Sequence, residues 1–276
     1  MLFDDNRLSK RTNNFDLLRL IAAVLVLVGH APLILNAVYY SFDPFAPVFG
    51  HPLHSFGLVV FFVISGFLVT RSWERRPSLF NFMTARILRL YPGLIVAMLI
   101  LVFIVGPLIT KTDLGNYFTA TTTYKYLANA TLIRITYVLP GVFEGNPIGP
   151  SLNGSLWSLP YEFFCYFIVL FVGLMNLVKK IKFIYPVLFV ISLVGYMIFE
   201  NELNQYEIPG LALLIRVFAP FLLYFLAGAS LYQLRKLVPL DELNNLMTPK
   251  KVHFLEDIPK LATGKVNYPM LLLRIQ

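Results

Sequence analysis

Residues 15–30 read F-D-L-L-R-L-I-A-A-V-L-V-L-V-G-H. Apolar side chains succeed one another almost without a break, and the run continues to about residue 38. A helix that crosses a bilayer needs about 20 mostly apolar residues, so this stretch predicts a spanning helix. It is not a cleavable signal peptide. Asp16, Arg19 and His30 interrupt it, and no small-residue cleavage site closes it.

The same pattern recurs along the chain. Six apolar runs qualify as spans: 17–38, 56–70, 91–110, 156–178, 183–199 and 211–234. The second is short at its apolar core, but no charge interrupts it. Of the 276 residues, 57% are hydrophobic and only 14% are charged. That excludes a disordered tail, a collagen-like repeat and a small soluble enzyme. The single cysteine, Cys165, excludes an intrachain disulfide framework and a Cys-rich zinc site. The predicted fold is all-α: a polytopic transmembrane helical bundle of six to seven spans with a short non-membrane C-terminal tail.

Basic residues predict the orientation. Arg7, Lys10, Arg11, Arg71, Arg75, Arg76, Arg86, Arg89, Lys179, Lys180, Lys182, Arg235 and Lys236 all fall on one side of the six spans. The opposite side holds only Lys111, Lys125 and Arg134. The N-terminus and the Arg-rich loop are therefore expected in the cytoplasm, with the chain in the inner or plasma membrane. The loop 38–55 and the long segment 111–155 are expected outside. This orientation accounts for the net charge of +8 without a nucleic-acid partner. A weak apolar stretch near 126–143 reads as a re-entrant or interfacial piece.

Ionisable groups inside spans are costly, and each is a functional hypothesis. Asp16 and Arg19 are three apart on one helix face; Arg19 can also be a snorkelling anchor at a helix start. His30 comes eleven residues after Arg19, about three turns, so both lie on nearly one face some 16 Å apart in depth. Imidazole titrates near neutrality and can take a proton from a hydroxyl; alone, the residue equally fits a polar group at the outer interface. In the loop 71–92, Ser78 caps a helix expected through about Leu90, with Arg86 and Arg89 as neighbours on it. Guanidinium forks suit phosphate groups. Arg71, Arg75 and Arg76 read as orientation charges. Gly57, Ser65 and Gly66 read as close-packing positions. In S-L-N-G-S-L-W-S-L-P-Y-E-F-F-C-Y (151–166), Trp157 fits an outer aromatic belt and Pro160 can kink the fourth span. Glu162 in that apolar run wants a partner such as Arg19 or His30. Asn129 and Asn153 head N-x-S/T triplets that read as chance.

Several pieces together resemble the acyltransferase 3 family of membrane proteins, over roughly 13–236. The opening motif matches at Phe15, Asp16, Leu18, Arg19 and His30. Further matches are G-x-x-x-F-F-x-I-S-G-F-L at Gly57 to Leu68, R-x-x-R-L-Y-P at Arg86 to Pro92, S-L-W-S-L-x-x-E-x-x-x-Y at Ser155 to Tyr166, and F-L-A-G-A-S-L-Y at 225–232. The resemblance implies a membrane O-acyltransferase. An acyl-CoA, often acetyl-CoA, would donate from the cytoplasm to a hydroxyl of a cell-surface or secreted carbohydrate. His30 would be the catalytic base or acyl-relay residue, with Arg19 in support. Glu162 would orient His30 or shape the acceptor pocket. Arg86 and Arg89 would bind the CoA phosphates, and Asp16, Ser65, Gly66, Trp157 and Tyr166 would be supporting positions. No metal is expected.

Family members carry more spans than the six counted here, so the expectation for 1–236 is a truncated membrane domain whose exposed helix faces favour oligomers or partner helices. The composition then changes. Residues 237–276 hold no spanning run and are expected to form a cytoplasmic tail. From about 241 they resemble the C-terminal end of an adenylate-forming acyl-CoA ligase, with Pro259, Gly264 and Lys265 in the matching positions. Pro259 stands where a Walker A loop has its first Gly, and Val266 where it has Ser or Thr, so it is no phosphate loop. Without a nucleotide-binding body, Lys265 reads as a remnant of a fusion. Two competing readings remain at this point: an inactive truncated or fused membrane fragment, and a small-molecule transporter.

Overall fold

The computed structural model describes residues 14–35, 53–133, 135–146, 149–203, 211–235 and 237. The chain divides into two units, Thr12–Arg235 and a second made of Met1–Arg11 with Lys236–Gln276. All the described helices belong to the first unit. The ligase-like tail with Pro259, Gly264 and Lys265, and the basic residues Arg7, Lys10, Arg11, Arg134 and Lys236, lie outside the described residues.

The described residues are helical and contain no strand. The helices in chain order are α1 (Phe15–Leu35), α2 (Leu53–Arg75), α3 (Leu79–Ile100), α4 (Gly106–Ile109), α5 (Leu114–Thr119), α6 (Thr121–Leu127), α7 (Leu159–Leu174), α8 (Leu177–Lys180), α9 (Ile184–Leu203) and α10 (Leu211–Leu234). Among the described residues, four segments are long and apolar enough to cross a membrane: Leu53–Arg75, Leu79–Ile109, Gly154–Leu174 and Val217–Leu234. Ile184–Phe199 is a shorter apolar helix. This is the polytopic helical bundle expected from the apolar runs.

Packing partners set the directions. Phe15 of α1 meets Phe67 of α2 at 5.3 Å, while Gly57 lies on Ala22 and Val26, so α1 and α2 are antiparallel. The Arg86 guanidinium reaches back to Ser72, so α3 is antiparallel to α2. Ser65 meets Glu162 and Trp73 meets Gly173, so α7 is parallel to α2. Phe62 stacks near Phe221 and Phe67 near Tyr232, so α10 also runs with α2. Tyr185 at the start of α9 bonds Gln233 at the end of α10. This up-down order brings the described basic residues of the 71–89, 179–182 and 235 segments to one end of the bundle. The segment 110–158 occupies the other end.

Glycine makes the centre possible. A Cβ on Gly66 would overlap the Phe225 carbonyl, and one on Gly228 would overlap the Val63 carbonyl. The α2–α10 backbones therefore approach closer than any side chain allows, the usual solution where lipid removes the hydrophobic drive between helices.

Three local features differ from the sequence expectation. Ser78 does cap α3, accepting from the Asn81 backbone N–H at 3.5 Å, but the helix does not stop near Leu90. It runs through Pro92 and continues, via a π-turn at Leu101–Val105, to Ile109. Pro92 faces outward, where spanning helices tolerate it. The segment Leu79–Ile109 has 31 residues, about 46 Å of helix against an apolar core of about 30 Å. The excess is taken up by tilt or by an end outside the apolar core, and Arg86 and Arg89 lie toward one end of the segment. Pro160 produces no mid-span kink. It sits in the first turn of α7, just after a 3-10 turn at Gly154–Ser158, where its missing N–H costs nothing. That helix also ends before 178, because Asn176 is left-handed (φ 52°).

The stretch 126–143 does not cross as a helix. Beyond α6 and a 3-10 turn at Ala128–Thr131 it is irregular. Tyr117 donates to the Val102 carbonyl in the π-turn at 2.8 Å, and Thr110 donates to the Pro140 carbonyl at 2.7 Å. Asn129 is fully buried and exchanges two 2.7 Å bonds with the Thr136 backbone. Its N-x-T triplet is structural.

Candidate active site

The site grows from the register of α1, α2 and α7. His30 is little more than one turn from the C-terminal end of α1. Its Nδ1 lies 2.7 Å from the Val26 carbonyl oxygen. A carbonyl only accepts, so Nδ1 carries a proton, and in the neutral ring Nε2 is the nitrogen with the lone pair. That is the tautomer a general base needs. His30 lines a cavity of about 180 Å³ together with Ser155, Trp157, Ser158 and Glu162.

Glu162 lies in the first turn of α7. The sequence suggested Arg19 or His30 as its partner. The hydrogen bonds come from elsewhere: Ser65 Oγ donates to Oε1 at 3.0 Å, and Tyr166 Oη donates to the same oxygen at 2.5 Å. Tyr166 is one turn along the same helix, and Ser65 is on α2. Ser65 therefore does more than permit close packing; neighbouring Gly66 does the packing against α10. Two hydroxyl donors compensate a carboxylate that burial would otherwise penalise.

Arg19 pairs with Asp16 at 3.4 Å, with Asp16 91% exposed. The Arg19 Nη2 is buried with no hydrogen-bond partner among the described residues. Arg89, Glu162 and Tyr166 lie within electrostatic reach of Arg19, and Arg89, Glu162 and Tyr166 also reach Arg86. One charged network thus joins α1, α3 and α7. Within it Arg86 and Arg89 part company. Arg86 is 8% exposed, donates to Ser72 Oγ at 3.3 Å, and has its guanidinium 5.7 Å from the Phe82 and Tyr166 ring centres. Arg89 is exposed.

Trp157, expected at an aromatic belt, is half-buried and has specific ring partners. Its ring packs edge-on to Phe221 at 5.1 Å and to Tyr161 at 6.1 Å. It forms the wall between the His30 cavity and a second cavity of about 460 Å³ lined by His54, Phe56, Pro220, Phe221 and Tyr224 among others.

His54 is the residue that sequence reasoning missed. Its ring lies 4.7 Å from that of His30. Gly29 allows the approach, since a Cβ there would come within 2.5 Å of the His54 backbone nitrogen. The signal was present in the register: Gly57 seats on Ala22 and Val26, so His54, one turn earlier on α2, must meet α1 one turn later. Among the described residues, no group of three His, Cys, Asp or Glu side chains is placed to hold a metal.

A half-buried histidine and a hydroxyl-held carboxylate thus share one cavity, with arginines at the far end of the same helices. Residues 12–248 match the acyltransferase domain family, and the chain belongs to it. It is similar to an O-acetyl transferase of Shigella phage Sf6, 30% identical over 204 residues, covering 72% of this chain and 57% of that protein. It is also similar to Nodulation protein 10 of Rhizobium leguminosarum bv. viciae, 35% identical over 163 residues, covering 56% of this chain and 42% of that protein. The chain thus spans about half the length of the curated relatives it matches. No solved structure matches.

Proposed function

We propose that the chain transfers an acyl group, most simply acetyl, from acyl-CoA to a hydroxyl of a cell-surface or secreted carbohydrate. Family membership supports the reaction class, and the phage relative is named for O-acetyl transfer. The observation that carries the reading is His30: its Nδ1 is held by a backbone carbonyl, and its ring shares a cavity with Glu162.

The placement supports a simple chemistry. An acceptor hydroxyl in the His30 cavity gives its proton to Nε2 as its oxygen attacks the thioester carbonyl. The thiolate leaves, and the imidazolium returns the proton to it. Glu162, held by Ser65 and Tyr166, lines the same cavity and fixes its polar wall. The aromatic cavity beyond Trp157, with Tyr224 and Phe221 in its wall, suits the apolar face of a sugar ring, and His54 stands at its junction with His30. Arg19 and Arg89 supply positive potential at the other end.

Geometry also constrains the donor. Leu58 lines the His30 cavity and Ser72 holds Arg86. Fourteen residues of α2 separate them, about 21 Å of helix. A donor with phosphates at the arginine end and an acyl carbon at His30 must be long and thin, as a phosphopantetheine thioester is. We place the chain in the cytoplasmic membrane with the arginine end inward, and the fold domain at 1–236 with the remaining residues as a cytoplasmic tail.

The test is acyl transfer from radiolabelled acetyl-CoA in membranes expressing this chain beside His30→Ala. The expected result is labelled glycan that falls by roughly 10²-fold or more in the variant, the usual weight of a general base. Equal labelling, or no label with normal membrane levels of the wild-type chain, overturns the proposal.

A further inference from the structure

The charges that sequence assigned to orientation alone border a common concavity. Arg71, Arg75 and Arg76, at the last turn of α2 and just beyond it, line a cavity of about 550 Å³ with Ser72, Asn81 and Thr84. Its floor is apolar, from Leu68, Phe82, Ala85 and Leu88. The volume lies in the range of small-molecule sites. Three arginines lining one concavity are not required by a topology signal, which counts charge and is indifferent to where the side chains point.

Arg86 does not fill this role. It is buried behind the cavity wall, bonded to Ser72 and packed against Phe82 and Tyr166. Ser72 and Phe82 are shared between the two arrangements. Arg86 thus holds the α2–α3 hairpin in shape, and the open cavity lies on the other side of that wall.

We infer that the Arg71–Arg75–Arg76 cavity binds a phosphate or diphosphate group, and that Arg86 is a positioning residue for it. The planar forks of the three arginines suit paired phosphate oxygens, and the apolar floor suits a hydrocarbon arm leading away along α2. The donor assignment rests on the function proposed above; the phosphate chemistry does not. The same chemistry has two sources, a water-soluble acyl-CoA or the head group of an anionic lipid.

The experiment uses the full chain in nanodiscs of phosphatidylcholine, with inorganic pyrophosphate and coenzyme A as probes in titration calorimetry. Arg75→Lys/Arg76→Lys keeps the net charge and the orientation signal but removes the forks. The expected result is at least a tenfold loss of affinity for both probes, with Lys179→Gln/Lys180→Gln, at the same end of the bundle, unchanged. Unchanged affinity in the arginine variant, or an equal loss in the lysine variant, overturns the site. Repeating the titration in phosphatidylglycerol nanodiscs separates the sources. Probe binding abolished there by competition supports the phosphate site and overturns its assignment to the donor. Transfer assays keep the two proposals apart. Wild-type KM for acetyl-CoA in the arginine variant, with His30→Ala inactive, overturns the assignment of the site to the donor and leaves the proposed function standing. Pyrophosphate binding that depends on the arginines, in a wild-type chain that transfers nothing, defeats only the function.

Discussion

The protein has two packed regions built on different principles. One surrounds α2, α7 and α10 and includes Phe62, Val69, Trp73, Tyr166 and Phe225. The other joins α3 to the 110–158 segment through Met98, Val102, Tyr117, Tyr126 and Leu139. In the first, long helices meet at glycine and the few polar side chains bond one another, as Ser65, Tyr166 and Glu162 do. In the second, short helices and irregular chain are stitched by side chains bonding backbone, as Thr123 does to the Tyr117 carbonyl and Asn129 to Thr136. The polar groups of the first region pair side chain to side chain, while those of the second satisfy a backbone that lacks regular structure. Substitutions in the two should therefore fail differently.

The largest effect is expected at Gly66→Val. The added atoms overlap the Phe225 carbonyl, which is backbone and cannot swing aside. Overpacking of this kind costs on the order of 3 kcal/mol or more. In size-exclusion chromatography of the detergent-solubilised chain, the monodisperse peak should be lost. A normal peak would show that α2 and α10 have room to separate, and the contrast between the regions would weaken.

Next comes Glu162→Gln. Glutamine keeps an oxygen for Ser65 and Tyr166, so the melting temperature should hold. The charge beside His30 disappears, and acyl transfer should fall by roughly 10²-fold. A fall in melting temperature with activity retained would make Glu162 structural, like the polar groups of the second region. Asn129→Ala should do the reverse. It strands the Thr136 N–H and carbonyl and should cost about 2 kcal/mol of stability, read as a lower melting temperature, with KM for the donor unchanged.

The same division explains what the sequence made legible. Spanning helices announce themselves by apolar length, and motifs on them come with a known period; Ser65, Glu162 and Tyr166 stand together because 65 and 162 fall at the same level of parallel helices. Partner choice was less legible. Glu162 was expected to meet Arg19 or His30, yet nearer hydroxyls took its hydrogen bonds, because a short Ser on a tightly packed neighbour reaches it first. His54 was hidden in a segment read as loop, since α2 begins earlier than its apolar core. The length of α3 was hidden by Pro92, which local rules read as a stop and an outward-facing position tolerates. The Asn129 bonds could not be read at all: nothing in the order of residues 129–136 says which backbone groups will be buried without a helix to serve them.

The smallest effect tests the second region at its weakest point. Tyr126 is fully buried, and its hydroxyl has no hydrogen-bond partner among the described residues. Burial, with nearby Tyr117 adding to it, pushes the phenol up from 10.0 to about 12. The folded state therefore keeps this proton where the unfolded chain has released it. The contribution to stability is fully present below about pH 10 and is lost as pH rises toward about 12. Tyr126→Phe removes both the orphan hydroxyl and this dependence. It should leave acyl transfer unchanged and raise stability at neutral pH by up to about 1 kcal/mol. Melting curves of the two proteins from neutral pH to about pH 11 check it: the gap in favour of the phenylalanine variant should widen above about pH 10. A variant less stable than the parent at neutral pH would mean that the hydroxyl is bonded after all. The second region would then satisfy every buried polar group, at Tyr126 as at Asn129.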